Sequence, residues 1–316
     1  MEQRPLGKSG LSVSIIALGT GAMGEKSDGQ RVDDREAIAA VHQAIDAGCN
    51  LIDTAPSYGW GHAEELVGKA IVGRRADVLI ATKCGLIAPR NGDGIPRRTL
   101  TQASILQECA QSLRRLRIEV IDLYQCQQPD PLTPIRETME ALQTLRTQGK
   151  IRAAGLCNFG CEEIAAAREF GGIDAVQTAF SVLHRHAADD LLPFCSEHGM
   201  AVLAHSPLAK GLLTGTLSAD LRFSGIRARD PDFVGERFRR NLRIVQRLRE
   251  IADACGKTLT QLAVNWAAYH PGVTAPIVGV QRPSHVVDVL GGIGWNLSAE
   301  DRARIDRILR DDGVES

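Results

Sequence analysis

The sequence predicts an α/β protein built as a (β/α)8 TIM barrel, with an N-terminal β-hairpin and extra helices towards the C-terminus. Three observations carry this expectation. Eight short β-branched or aliphatic runs recur along the chain, and amphipathic segments rich in Ala, Leu and Arg separate them. The runs are apolar on consecutive positions instead of alternate ones, as in parallel strands buried on both faces. Eight runs with intervening helices favour a closed barrel over an open sheet, although Gly19-Thr20-Gly21-Ala22-Met23-Gly24 after the first run has the Gly-x-Gly-x-x-Gly pattern of a dinucleotide-binding turn.

Before the first run, Leu6-Gly7-Lys8-Ser9-Gly10-Leu11-Ser12-Val13 reads as a small hairpin suited to closing the bottom of a barrel. The runs lie at residues 15–18, 51–53, 78–82, 120–124, 153–156, 175–177, 201–204 and 275–278. In the stretch 34–47, Ala37, Ile38, Val41, Ala44 and Ile45 recur at helical spacing behind an aspartate N-cap, and Gly48 follows as a stop. The segment 101–116 sets Ile105, Leu106, Cys109, Leu113 and Leu116 on one stripe. Pro134 suits a first helical turn, ahead of an apolar face of Ile135, Met139, Leu142 and Leu145 that ends at Gly149. Between the seventh and eighth runs, residues 223–235 and the adjoining Arg222 show little periodicity. Arg227, Arg229, Asp230 and Pro231 crowd there, as expected of a lid or binding loop. No linker or low-complexity stretch divides residues 1–316, so a single barrel domain is expected.

The composition is that of a chain with ample core material: 44% of residues are hydrophobic and 24% charged. A net charge of −1 gives no long-range field towards nucleic acid or an anionic membrane, so the expected partner is a small molecule. No apolar run approaches the ~20 residues of a spanning helix, and Met1-Glu2-Gln3-Arg4-Pro5 opens no signal-peptide core. A cytoplasmic location is therefore expected. Cys49, Cys84, Cys109, Cys126, Cys157, Cys161, Cys195 and Cys255 include no Cys-x-x-Cys pair, and no His cluster has metal-ligand spacing. They read as reduced packing residues, and no metal is expected.

In such a barrel the reactive groups sit just past the C-terminal ends of the strands. Asp53 ends the second run, Tyr58 follows five residues later, and Lys83 ends the third. A tyrosine of ordinary pKa near 10 is a poor acid at neutral pH, and a lysine ammonium beside it lowers that value by stabilising the phenolate. An aspartate paired with the lysine then fixes the ammonium. Each residue has an ordinary reading on its own, as a helix cap, a surface phenol or a solvated lysine. Their combination is the specific signal.

Nearly end to end, the chain resembles the aldo-keto reductase family. The resemblance is carried by Gly48-Cys49-Asn50-Leu51-Ile52-Asp53-Thr54-Ala55-Pro56-Ser57-Tyr58-Gly59 with Glu64-Glu65-Leu66-Val67-Gly68, and by Ile121-Asp122-Leu123-Tyr124-Gln125. Two further stretches match: Gly149-Lys150-Ile151-Arg152-Ala153-Ala154-Gly155-Leu156-Cys157-Asn158-Phe159, and Ser206-Pro207-Leu208-Ala209-Lys210-Gly211-Leu212-Leu213-Thr214-Gly215. The resemblance implies an NAD(P)(H)-dependent oxidoreductase that interconverts a carbonyl, in an aldehyde, ketone or sugar, with its alcohol. It implies Tyr58 as the proton donor, tuned by Lys83 and Asp53. It also implies that Asn158 and Gln177 hold the nicotinamide carboxamide, and that Ser206, Leu208 and Lys210 cradle the pyrophosphate. Gly279, Gln281, Arg282, His285 and Asp288 are placed at the adenosine end, where a helix N-terminus favours a phosphate. Arg282 matches a 2′-phosphate, so NADP is the expected cofactor, with NAD possible.

Two positions depart from the family pattern. Gln127 stands where the family usually has a catalytic histidine; its amide donates a hydrogen bond and does not titrate. His205 stands where an aromatic ring usually stacks on the nicotinamide. Gln127 also keeps a second reading open, that of a slow-turnover nucleotide-sensing subunit on the same fold. Trp60, Phe180 and Trp295 are the candidate walls of a substrate pocket.

Overall fold

The computed structural model describes residues 1–24, 26–27, 30–89 and 95–314. Eight parallel strands close into a barrel: β1 (Ala17–Gly19), β2 (Leu51–Asp53), β3 (Leu79–Cys84), β4 (Ile121–Cys126), β5 (Ile151–Cys157), β6 (Ala175–Ala179), β7 (Ala201–His205) and β8 (Ala275–Gly279). Each strand is hydrogen-bonded to the next in sequence, and β8 returns to pair with β1 through Ile277 opposite Ala17. The strands coincide with the eight apolar runs, but all except β2 continue one or two residues past them. Apolarity marks only the lower part of each strand, while the backbone ladder continues through the polar residues that face the barrel mouth.

Helices α1 (Asp34–Asp46), α2 (His62–Ala70), α3 (Gln102–Leu116), α4 (Ile135–Thr147), α5 (Cys161–Arg168) and α6 (Leu191–Glu197) lie between the first seven strands. Local chemistry sets their ends. Asp33 accepts from the Arg35 backbone N–H at 2.7 Å to start α1, and Thr101 does the same for Ser104 at the head of α3. Helix α7 (Gly235–Ala254) and helix α8 (Leu259–Ala268) precede β8, and α9 (Pro283–Leu290) and α10 (Ala299–Asp311) follow it. Among the described residues, no helix is long and apolar enough to cross a membrane.

The lower barrel interior is a closed apolar layer of Ala17, Leu51, Ala81, Leu123, Ala153, Ala175, Ala201, Leu203, Ala275 and Ile277. Leu6, Leu11 and Val13 of the N-terminal hairpin join this layer from below. The hairpin's strands are Gln3–Pro5 and Ser12–Ser14, so most of the segment expected to form it is instead its turn. The correction has a simple cause: Leu6 and Leu11 are apolar because they enter the barrel, not because they belong to a ladder. Gly7 sits at φ +57°, and a Cβ there would lie 2.0 Å from the Asp174 carbonyl oxygen, so only glycine lets the turn press against the barrel end.

The expected loop between the last two strands is more ordered than its sequence suggested. A short helix (Gly225–Ala228) and a 3-10 turn (Pro231–Phe233) lead into α7. Phe223 packs edge-on against Phe233 and Phe238 at centroid distances of 5.0 and 5.2 Å. Asp232 bridges His184 at 2.6 Å and Arg237 at 2.7 Å. Burial favours the neutral acid there, but His184 and Arg237 outweigh it and hold the Asp232 carboxyl at about 2. Tertiary contacts order what local periodicity left open.

Candidate active site

Side chains alternate along a strand, so the residue two places above each floor residue also points into the barrel. That step carries Leu51 to Asp53, Ala81 to Lys83, Leu123 to Gln125, Ala175 to Gln177 and Leu203 to His205. The apolar floor is thus overlain by a polar deck at the C-terminal mouth. Asp53 and Lys83 are 2% and 1% exposed, and Gln125 and Gln177 are equally buried.

Lys83 Nζ donates to Asp53 Oδ1 at 2.6 Å and to the Thr54 carbonyl at 3.0 Å. Tyr58 comes from the turn after β2 and places its hydroxyl 3.5 Å from the same ammonium. The other Asp53 oxygen accepts from Gln177 Nε2 at 2.9 Å. Burial is the largest single influence on Lys83 and works against its charge, but Asp53, Tyr58 and Cys157 together outweigh it and raise the pKa above the ordinary lysine value. For Tyr58 the sequence-based expectation is reversed. Lys83 does act downwards, but burial is larger and pushes the phenol up to about 12, with Asp53 adding in the same direction. Tyr58 is therefore a protonated phenol at neutral pH.

Gln127 lies just past β4, half-buried, and its amide exchanges hydrogen bonds with the Ser57 hydroxyl at 3.0 and 3.1 Å. Its backbone carbonyl accepts from Asn158 Nδ2 at 3.1 Å. Asn158 has φ +62°, a left-handed conformation that asparagine tolerates better than most residues. His205 is held down at about 4, first by burial and then by the Lys83 charge. It is neutral near pH 7, and its contacts fix its tautomer: Nε2–H donates to Asn158 Oδ1 at 2.9 Å, and Nδ1 accepts from the Ser206 hydroxyl at 3.1 Å.

The remaining expected residues spread along the rim. Ser206 and Lys210 have φ values of +57° and +54°, with Leu208 half-buried between them. Lys210 pairs with Asp230, and its carbonyl accepts from Arg227 Nε at 2.9 Å. Gly279 is exposed at the end of β8, and a Cβ built on it meets nothing within 4 Å. Gln281 Nε2 donates to the Ala22 carbonyl at 3.3 Å. Arg282 is the exposed N-cap residue of α9, and His285 is half-buried one turn on, its pKa lowered by burial and then by Arg282. Asp288 is engaged elsewhere, accepting from the Thr258 hydroxyl at 2.7 Å at the head of α8. The open space at Gly279 and the exposed Arg282 guanidinium three residues on leave room for an anionic group at the end of β8.

The three candidate walls differ in their surroundings. Phe180 is fully buried and stacked on Trp266 at 5.1 Å, and the Trp295 indole donates to the Gly291 carbonyl at 3.0 Å. Trp60 is 47% exposed in the turn that follows Tyr58. Sequence reasoning assigned no role to Ser57, Gln125 and Cys157. Gln125 was findable by the two-residue step from Leu123. Nothing local distinguishes Ser57.

The model of the aldo/keto reductase family matches residues 15–310. Aldo-keto reductase YhdN of Bacillus subtilis (strain 168) is 36% identical over 314 residues, covering 98% of this chain and 94% of that protein. The NADH-specific methylglyoxal reductase of Escherichia coli (strain K12) is 34% identical over 316 residues, covering 95% and 96%. Among solved structures, the glycerol dehydrogenase AKR11B4 from Gluconobacter oxydans superposes with a TM-score of 0.90 at 36% identity, over 99% of this chain and 96% of that one.

Proposed function

The chain belongs to the aldo/keto reductase family, an oxidoreductase family acting between carbonyls and alcohols with nicotinamide cofactors, and on that premise we propose a specific working of its site. The substrate is a small aldehyde, ketone or sugar, and Tyr58 exchanges the proton at its oxygen. The observation that carries this reading is the continuous chain from Asp53 through Lys83 to Tyr58, at 2.6 and 3.5 Å, at the barrel mouth.

When bound, the nicotinamide supplies the hydride in reduction and accepts it in oxidation. Tyr58, protonated at neutral pH, gives its proton to the carbonyl oxygen, and the Lys83 ammonium stabilises the phenolate left behind. Asp53 keeps that ammonium in place. Such general acid catalysis is typically worth about 10²- to 10⁴-fold in rate. Gln127 offers a neutral N–H to the same oxygen, in the place where the family usually has histidine. Asn158 and Gln177 would hold the carboxamide, with the neutral His205 beside the nicotinamide. Ser206, Leu208 and Lys210 would hold the pyrophosphate. Gly279, Gln281, Arg282 and His285 would meet the adenosine end, with Asp288 bracing α9 against the head of α8.

NADP(H) is the preferred cofactor in this reading and NAD(H) a usable one, because Arg282 presents an exposed guanidinium at the head of α9. A relative named as NADH-specific makes the comparison worth measuring directly. A screen of aldehydes, ketones and sugars with each cofactor, followed at the nicotinamide absorbance, tests the activity. We expect NADPH to bind more tightly than NADH, and Arg282→Ala to remove about tenfold of that preference. Equal dissociation constants for both cofactors in both proteins would overturn the preference. Tight cofactor binding with no turnover on any carbonyl class would favour the sensing subunit, a reading that rests on the non-titrating Gln127.

A further inference from the structure

We propose that Gln125 is a positioning residue: its amide oxygen sets the orientation of the Gln177 amide, so that Gln177 clamps the second oxygen of Asp53. This rests on the proposed role of the Asp53, Lys83 and Tyr58 chain and extends it two residues deeper into the barrel.

The two oxygens of Asp53 are served separately. Oδ1 takes the Lys83 ammonium at 2.6 Å, and Oδ2 takes Gln177 Nε2 at 2.9 Å. A side-chain amide is nearly symmetric in shape, so something must choose which end faces the carboxylate. Turned over, Gln177 would set a carbonyl oxygen against Oδ2. The carboxylate accepts only and so favours the N–H end, and Gln125 reinforces that choice, because its Oε1 accepts from the same Nε2 at 3.5 Å and would repel a carbonyl there. Cys157 supports it from the other end, its Sγ donating to Gln177 Oε1 at 3.5 Å.

Gln125 stays in this place at a visible cost. It is fully buried, and its Nε2 has no hydrogen-bond partner among the described residues. The layer directly beneath it is apolar, so a methionine or leucine would satisfy the local packing without stranding a donor. Room is made for the amide by Gly155 on the neighbouring strand, where a Cβ would lie 2.9 Å from Gln125 Cγ. The useful atom of Gln125 is thus its oxygen, and the atom that oxygen serves is Gln177 Nε2.

The substitution that tests this is Gln125→Met, which keeps length and removes the amide. With any carbonyl that the wild type reduces, we expect kcat to fall about tenfold, the melting temperature to hold, and the limb of alcohol oxidation governed by Tyr58 to move to higher pH. The direction of that shift follows from a looser Lys83 ammonium, which stabilises the phenolate less. Gln125→Glu keeps an acceptor oxygen but adds an acid that burial favours in its neutral form, so it should recover most of the lost rate only at the acidic end of the pH range, where that acid is protonated. In a Gln177→Met background, Gln125→Met should cost less than about twofold more, since the residue acts through Gln177. Wild-type kcat and pH limb in Gln125→Met, or additive losses in the double variant, would overturn the proposal. If Gln125→Met fails to fold, the proposal stands or falls on Gln125→Glu at the acidic end of the pH range, where a rate as low as that of Gln177→Met overturns it. Failure of the underlying reading is separate: it would appear as full activity of Tyr58→Phe.

Discussion

The two ends of the barrel are built from the same strands, two residues apart, and behave as opposites. At the lower end Leu51, Ala81, Leu123 and Ala175 form a dry floor that the hairpin residues Leu6, Leu11 and Val13 seal. One inward step higher, Asp53, Lys83, Gln125 and Gln177 carry a buried ion pair and two amides. The floor buries apolar area and needs only volume. The deck buries charge, which is stabilising only when each oxygen and each donor finds a partner. The rigid lower layer is what lets the upper one hold such groups at fixed distances.

Substitutions at three positions probe this division, beginning with the largest effect. Tyr58→Phe keeps the ring and removes the proton donor, so turnover should fall by about 10²- to 10⁴-fold while cofactor affinity, read by fluorescence titration, stays the same. A loss below about tenfold would put the proton donor elsewhere. Leu123→Ala cuts into the floor directly below Gln125. It should cost about 2–5 kcal/mol of stability in denaturant unfolding and leave the kcat of the folded fraction within a few-fold of wild type. A large kcat loss at unchanged stability would show that floor and deck are not separable.

The smallest effect is expected at Gln127. Removing its amide in Gln127→Ala should lower kcat by about 2- to 10-fold, the worth of one neutral hydrogen bond. The wild-type pH profile of reduction should be flat across neutrality, because Tyr58 titrates at about 12 and His205 at about 4, leaving both neutral in between. Gln127→His should remain active and bring a new ionisation into that flat region. Steady-state rates from pH 5 to pH 9 decide both points, and a Gln127→Ala enzyme indistinguishable from wild type would make the residue a bystander.

The floor and deck also differ in how far they could be read from the sequence. Consecutive apolar runs located all eight strands, and helix caps such as Asp33 and Thr101 stood within a residue of their expected places. Asp53, Tyr58 and Lys83 were recognisable by position, as polar residues at strand ends. Periodicity reports burial, and burial is what a strand or an amphipathic helix needs to be specified locally. The turn role of residues 6–11, the order in the Phe223 strap and the burial of Phe180 were not legible in the same way. Each depends on contacts with residues far along the chain: Asp174 for Gly7, His184 for Asp232 and Trp266 for Phe180.

By itself the sequence determined the closed barrel, the family and the kinds of group gathered at its mouth. The tertiary structure decided how those groups behave. Whether Lys83 or burial controls Tyr58 is a contest between a charge 3.5 Å away and the removal of water from all sides, and burial wins. The Gln177 amide takes its orientation from partners far along the chain, Asp53 at 2.9 Å and Gln125 at 3.5 Å. Electrostatic energies and hydrogen-bond directions depend on distance and solvent exclusion in three dimensions, and no local pattern of residue types encodes either one.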